Sequence, residues 1–395
     1  MLIAHRIALK PNNKQATYFS RACGCARFAY NWALAEWTKA WKPDGYLPKP
    51  NQMALRRKLN SIKREQFPWM TEVTKCAPQL AIIQLGQAFQ NFFAKRAKYP
   101  TWRQKGVHDR FSISNDQFSI NDKTIRIPKL GCVRMTESLR FNGKIISATI
   151  SRTADKWFAS ITVEVPELNL PKAENQGEAG VDLGIHALAT LSNGETVRGP
   201  KPHKAQLNRL KRLSRSLSRK QKGSKNRDKA RRKLSMLHAR IANVRSDALH
   251  KLTTDLTSRF QTIGIEDLNV RGMQKNKHLS RSINDMGFFE FRRQLEYKAE
   301  QRGGLIVVAD RFFASSKTCS KCGYKLQTLP LSTRKWQCPK CDTEHDRDIN
   351  AAINLKQLAV SSTVTACGEG STGPGSTRVK LPSTKQEANS RFAQL

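Results

Sequence analysis

The sequence holds no uninterrupted apolar run near the roughly 18 residues a membrane-spanning helix needs, which argues against a bilayer-embedded chain. Its opening stretch, MLIAHRIALKPNNKQ, lacks the apolar core of a secretory signal, so a cytosolic location is expected. Acid is scarce: 31 Asp and Glu stand against 70 Lys and Arg, for a formal net charge of +39. Such an excess repels itself in a folded chain, and the usual reason to tolerate it is a bound polyanion, nucleic acid first. Internal repeats are also missing. So is a disulfide framework, because nine cysteines are an odd number and Cys23, Cys25, Cys76, Cys132 and Cys367 are scattered.

What is present divides into segments. A length of 395 residues allows two to four units. Residues 2–10, LIAHRIALK, alternate and stop at Pro11, as one strand whose partners come later. From about 12 to 100, Phe19, Ala22, Ala26, Tyr30 and Trp37, then Leu80, Ile83, Leu85, Phe89 and Phe92, recur at helical spacing between prolines, which predicts a small helical bundle. Short alternating segments between 107 and 166, separated by Asn-Asp, Asn-Gly and Ala-Asp turns, predict strands. With the N-terminal strand they suggest a β-barrel into which the bundle is inserted. LNLPKAENQGE reads as a boundary. Beyond it come a strand and hairpin in AGVDLGIHALATLSNGETVRG, a basic helical hairpin, a strand TIGIED, a long helix ending near Arg302, a strand LIVVAD, a cysteine segment and a helix DINAAINLKQLA. The Ser, Thr and Gly-rich tail from about 361 is expected to be disordered.

Four constellations carry chemistry. Cys319, Cys322, Cys338 and Cys341 form two CxxC pairs at ribbon spacing, and four thiolates close a tetrahedral metal site with no position left for water. The spacing also resembles a rubredoxin-type iron site, but Lys317, Lys321, Lys335 and Lys340 suit structural zinc beside phosphates. The second set is acidic. Asp182 ends a strand in GVDLG, Glu266 ends another in IGIED, and Asp348 opens a helix in HDRDINAA. A lone strand-terminal acid is more often a turn or cap residue. The element order around these three matches the ribonuclease H plan, in which distant acids meet at adjoining strand ends. Phosphodiester hydrolysis must activate a water and neutralise a leaving oxygen, which two divalent ions about 4 Å apart can do, and carboxylates are the hard ligands that Mg²⁺ prefers. Asp182 is expected to bridge both ions, with Glu266 and Asp348 holding one each. Asp346, Asp267 and Asp310 compete nearby; Asp348 is preferred over Asp346 because it directly precedes the helix.

Third, residues 201–240 hold sixteen Lys or Arg and one acid, Asp228. A short charge run is usually a solvated face. A run this dense predicts phosphate contacts and steep salt dependence, with Arg209, Lys211, Arg212, Arg215, Arg219 and Lys220 as contacts. Fourth, aromatic and basic residues interleave in the first 105 positions: Arg27, Tyr30, Trp32, Trp37, Trp41, Lys95, Arg96, Lys98, Tyr99, Trp102 and Arg103. Most of these aromatics are expected in a core, with a minority stacking on bases or sugars.

In SSKTCSKCGYK, CPKCDTEHDRDINAAINL, GVDLGIHALATLSNG, IGIEDLNV and EFRRQLEYKAEQRGGLIVVADRFFASSKTCS, the chain resembles the TnpB (OrfB) proteins of bacterial insertion sequences, compact relatives of type V CRISPR effectors. The resemblance runs from the first strand to about residue 360. It implies a multidomain α+β architecture: a wedge-like β-barrel over 1–10 and 106–170, a helical recognition insertion over 11–105, a RuvC-like nuclease of ribonuclease H fold over 171–317 and 345–360, a zinc ribbon over 318–344 and a disordered tail over 361–395. The nuclease acids fall on Asp182, Glu266 and Asp348, with Mg²⁺ or Mn²⁺ as the catalytic metal, and the zinc ligands on the four cysteines. Since all three acids are present, nothing suggests a nuclease-dead branch. A noncoding guide RNA from the element's end and a target DNA are the implied partners, in a bacterial or archaeal cytoplasm at the nucleoid, with the oligomeric state open. Pairing would read sequence and the protein only a short element-associated motif, through Lys75 and Gln79, one helical turn apart; Gln79 could equally cap a neighbouring helix. Two other functions compete: a transposase that joins strands, and a nucleic-acid-binding regulator whose acids are structural.

Overall fold

The computed structural model describes residues 1–40, 50–166 and 177–367, with side chains to 362. The described residues divide into two compact units, one over 1–166 and one over 177–367. Among the described residues no helix is long and apolar enough to cross a membrane.

Unit 1 comprises β1 (Leu2–Leu9), α1 (Asn13–Ala40), α2 (Gln52–Gln66), α3 (Cys76–Phe93), β2 (Arg110–Ser114), β3 (Ser119–Asn121), β4 (Thr124–Ile127), β5 (Gly131–Arg134), β6 (Lys144–Thr153) and β7 (Lys156–Glu164). In β1 the alternation sends Ile3, His5, Ile7 and Leu9 inward. β1 pairs antiparallel with β7 along its whole length, Leu2 opposite Glu164 and Leu9 opposite Trp157, in a four-stranded sheet of order β1-β7-β6-β2. A second sheet, β3-β4-β5, meets the first where Leu9 bridges Met135 and the Thr136 amide donates to the Ala8 carbonyl.

Helix α1 buries Ala22, Ala26, Ala29 and Ala33 at three- and four-residue spacing, and these small side chains let α3 pack closely alongside. The stacked pair Trp37 and Phe89, ring centroids 4.2 Å apart, locks the far end of that contact. Of the interleaved aromatics, Tyr30 and Trp37 are core, whereas Trp102 is exposed and Trp41 lies outside the described residues. Arg103 lies over the Tyr30 ring at 3.8 Å, and burial lowers its pKa to about 10.

Unit 2 comprises β8 (Gly177–Asp182), β9 (Ala189–Leu191), β10 (Thr196–Val197), α4 (Pro202–Ala205), α5 (Leu207–Ser218), α6 (Lys225–Arg259), β11 (Phe260–Glu266), α7 (Val270–Met273), α8 (Ser280–Met286), α9 (Phe288–Gln301), β12 (Leu305–Ala309), β13 (Lys335–Gln337), β14 (Glu344–Asp346) and α10 (Arg347–Cys367). Its main sheet has the order β10-β9-β8-β11-β12. β8 runs antiparallel to β9 and parallel to β11, which is itself parallel to β12.

Three expectations need correction. The single long helix ending near Arg302 is broken into α8 and α9 by Gly287, whose φ of +74° is a left-handed turn that glycine adopts without strain. Leu249 Cδ1 would lie 3.1 Å from any Cβ added there. The final helix continues past 361 through Cys367, the last residue described, because this stretch holds no Pro or Gly. Of the tail expected to be disordered, residues 368–395 lie outside the described residues, as do most of the boundary LNLPKAENQGE and residues 41–49. Finally, Asp346 immediately precedes the last helix, whereas Asp348 sits in its first turn.

Helix α10 lies on one face of β8 and β11, and glycine makes the approach possible. Gly180 and Gly264 are opposite each other in the parallel register. A Cβ at Gly180 would stand 1.8 Å from the Ala352 carbonyl oxygen, and one at Gly264 would stand 2.2 Å from that of Leu355. Backbone therefore touches backbone. Residues two apart on a strand share a face, so Gly180 and Asp182, and likewise Gly264 and Glu266, face the side on which α10 packs.

Replacing Gly264 by Ala must push the helix outward and is expected to cost about 1–3 kcal/mol, read as a melting temperature several degrees lower. Gly24→Ala, in α1 with its nearest neighbour 3.9 Å away, should leave the transition unchanged or raise it slightly. Equal melting of the two variants would contradict the close approach.

Candidate functional site

Asp182 is the last residue of β8 and Glu266 the last of β11, one step beyond the Val181–Ile265 pair, so the two acids end neighbouring parallel strands. Asp348 is brought to them by the packing of α10. The Asp182 carboxyl is pushed up to about 8, first by loss of solvent and then by the negative charges of Glu266 and Asp348; Arg347 and the Leu183 amide pull the other way. The residue is half-buried, and loss of solvent around its carboxyl is the first cause of the raised titration.

Each acid has distinct support. Glu266 accepts a hydrogen bond from the Ser315 hydroxyl. Asp348 is paired with Arg334, whose Nη1 lies 3.3 and 3.5 Å from its two oxygens. Two of the competing acids are engaged by neighbours of their own. Asp346 caps α10, accepting from the amides of Asp348 and Ile349 at 3.0 and 3.1 Å. Asp267 is held by Arg292 at 2.7 Å and Arg311 at 2.6 Å. Asp310 lines a cavity of about 560 Å³ together with Glu266 and Ser315.

The sulfurs of Cys319, Cys322, Cys338 and Cys341 all lie within 4.8 Å of one another, and among the described residues this is the one group of three or more ligand-type side chains that does. The three acids are therefore not mutually that close, although they feel one another's charge. Two sulfur pairs, Cys319 with Cys341 and Cys322 with Cys338, are 3.6 Å apart. That matches the edge of roughly 3.8 Å expected of a tetrahedron with metal–sulfur bonds of about 2.3 Å.

Sequence reasoning missed the residues that fasten this cluster to the acids. Asn350 and Asn354, buried on α10, donate to the carbonyls of Thr318 and Ser315, and Asn350 accepts from the Ser320 amide. Their signal was present: two asparagines four apart within an apolar helix face need partners when buried. His345, whose Nε2 lies 3.0 Å from Cys319 Sγ, and Ser315 carried no comparable signal.

Similarity to known proteins is extensive. A relative in Streptomyces pristinaespiralis named "Putative RNA-guided DNA endonuclease" is 38% identical over 373 residues, covering 93% of this chain and 91% of that protein. The chain belongs to the TnpB (OrfB) family. A second relative, "Putative RNA-guided DNA endonuclease InsQ" of Escherichia coli K12, is 33% identical over 388 residues, covering 93% of this chain and 94% of that one. Family profiles described as "Probable transposase", "Cas12f1-like, TNB domain" and "Helix-turn-helix domain" match residues 160–277, 288–355 and 1–45. The fold resembles that of a chain in a Cas12f1–sgRNA–target DNA complex, with a TM-score of 0.56 at 16% identity over 87% of this chain and 83% of that one.

In this TnpB-family chain the basic hairpin is α5 and the first half of α6, turning at Gly223 and joined through Leu210, Leu237 and Ile241. Arg209, Lys211, Arg212, Arg215 and Arg219 are exposed and Lys220 is half-buried. Lys75 stands exposed at the start of α3, and Gln79 is half-buried in its first turn.

The raised Asp182 has a measurable consequence. A carboxyl at about 8 when folded and near 3.8 when unfolded contributes stability below the lower value that is lost as pH rises through the higher one. In metal-free buffer, Asp182→Asn is therefore expected to melt higher than the parent, by a margin that widens from pH 5 to pH 8.5 and amounts to a few kcal/mol at most. Added Mg²⁺ should stabilise the parent alone. A margin independent of pH would contradict the buried cluster.

Proposed function

We propose that this chain is an RNA-guided DNA endonuclease of an insertion sequence, cutting target DNA beside a short element-associated motif by metal-dependent phosphodiester hydrolysis. The observation that carries this reading is that Asp182 and Glu266 end neighbouring parallel strands with Asp348 within electrostatic reach, the Asp182 carboxyl being pushed up first by loss of solvent and then by those two charges, in a chain whose relatives across 93% of its length bear that activity in their names. Like charges gathered around an enclosed carboxyl cost stability, and a bound divalent cation is the function that offsets the cost. The sheet order with one antiparallel and one parallel flank of β8 supports a RuvC-like, ribonuclease H-type nuclease. The two small sheets of unit 1 support a wedge-like barrel carrying the helical insertion. A net charge of +39 suits a chain wrapped on guide RNA and target DNA.

The donor sets fit two kinds of metal. Hard carboxylates at Asp182, Glu266 and Asp348 suit Mg²⁺ or Mn²⁺, which when bound would activate a water and neutralise the leaving oxygen. Asp182, facing both other acids, would be the central ligand. Ser315 orients Glu266, and Arg334 neutralises Asp348, a charge that a divalent cation would neutralise when bound. Four thiols at tetrahedral spacing suit Zn²⁺ in a structural zinc ribbon, and the α10 asparagines tie that ribbon to the helix bearing Asp348. The exposed hairpin arginines and lysines would hold phosphates, with Lys75 and Gln79 beside the target motif.

The profile description "Probable transposase" favours strand joining as the second reading. One experiment separates the readings. The protein is purified with its RNA, the RNA is sequenced, and plasmid carrying the matching target is supplied with Mg²⁺. The expected results are an element-end transcript with a variable 3′ segment, a guide-dependent double-strand break, and one zinc per chain by elemental analysis. Asp182→Ala should abolish cutting while RNA and DNA binding persist. Strand-transfer joints in place of breaks would support the transposase, and activity in cells unaffected by Asp182→Ala would support a regulator.

A further inference from the structure

Between β12 and Cys319, the loop ADRFFASSK sets two phenylalanines in one cavity with Glu266, at the end of β11. Phe312 is 92% exposed, the most exposed of the chain's large apolar side chains among the described residues, and Phe313 is 36% exposed. Both line the 560 Å³ cavity that also contains Glu266, Ser315, Lys317 and Lys325. An isolated exposed apolar residue is ordinary. This one sits in a loop that is fastened at many points. The Phe313 amide donates to the Asp310 carbonyl at 2.9 Å, and Asn354 donates to the carbonyls of Ser315 and Thr318, both at 2.7 Å. Arg311, next to Phe312, is pinned by Asp267. The fold therefore anchors the loop on both sides of an aromatic ring and leaves the ring itself in water, forgoing the gain of burying it.

We propose that Phe312 is a stacking platform for an unpaired base of the DNA strand being cut, holding the nucleotide whose phosphate lies at Glu266. The inference rests on the nuclease reading above and deepens it by naming the substrate-binding residue. Aromatic rings recognise nucleic acid through base faces, which an intact duplex covers with neighbouring base pairs and yields only at the cost of unstacking, whereas a single strand presents them freely. The other lining groups complete the match. Asp267 is neutralised by Arg292 and Arg311 from two sides, and Lys325 and Lys317, the latter also donating to the Gln327 carbonyl at 3.2 Å, line the cavity where flanking phosphates would pass. Without a base stacked on the ring, the strand can slide past the acids; with one, the backbone is held in register.

The test uses the full chain carrying its guide RNA. Phe312→Ala, Phe312→Leu and Phe312→Trp are compared for guide-directed cutting, and 2-aminopurine is placed at the nucleotides flanking the cut in a Glu266→Gln background. At 92% exposure, none of these substitutions at 312 disturbs a core. Phe312→Ala and Phe312→Leu are expected to slow cutting roughly tenfold with RNA binding and target opening unchanged, and Phe312→Trp to restore the rate. One aminopurine position should be quenched with Phe312 present and bright with Ala. Equal rates and equal fluorescence in parent and Phe312→Ala would overturn the platform while leaving the nuclease reading intact. Leucine restoring the rate as well as tryptophan does would overturn stacking in favour of simple apolar contact. A parent protein that makes no guide-directed cut would remove the nuclease reading, and the platform with it.

Discussion

The arrangement of unit 2 depends on backbone meeting backbone where α10 crosses β8 and β11. At Gly180 and Gly264 the strands present no side chain, and the helix settles against them at a distance that no other residue permits. Two consequences follow from this one contact. Asp348, in the first turn of the helix, comes within electrostatic reach of Asp182 at the neighbouring strand end. The same helix, through Asn350 and Asn354, fixes the segment that leads into the four cysteines. A single steric allowance thus couples the thiol cluster to the acids.

That geometry has an electrostatic cost. Enclosing Asp182 beside two other carboxylates leaves it protonated at neutral pH in the absence of a cation. Stability gained elsewhere, from the core of Val181, Ile263, Ile265, Phe291 and Leu295, has to hold this arrangement in place. Frustration of this kind, concentrated in one spot of an otherwise consistent fold, is what distinguishes a working site from a structural turn. Elsewhere the excess positive charge is spread over exposed helix faces such as α5, where solvent screens it.

Much of this was legible in the sequence, for physical reasons that differ by element. The two CxxC knuckles were readable because ligand spacing is local. Strands β1, β8 and β11 were readable because their apolar residues run alternately or continuously and stop at Pro11, Asp182 and Glu266. Chain order alone pointed to the acids as neighbours, since strand ends collect distant residues. The break at Gly287 was obscured because apolar residues on both sides keep helical spacing, and only the left-handed φ reveals the turn. Asp346 and Asp348 could not be told apart by position, because capping is decided by which carboxylate reaches the free amides. The roles of Ser315, Arg334 and His345 depend on contacts across 49, 14 and 26 residues of chain, which no local pattern encodes.

Cutting by this chain requires Asp182, Glu266 and Asp348 to form one cation site. Anomalous diffraction from crystals of the full chain soaked in Mn²⁺ addresses it without recourse to activity. Manganese peaks in contact with the Asp182 carboxylate, with Glu266 and Asp348 as further ligands, are the predicted result. Manganese bound away from Asp182, with the three carboxylates left uncoordinated, would contradict it.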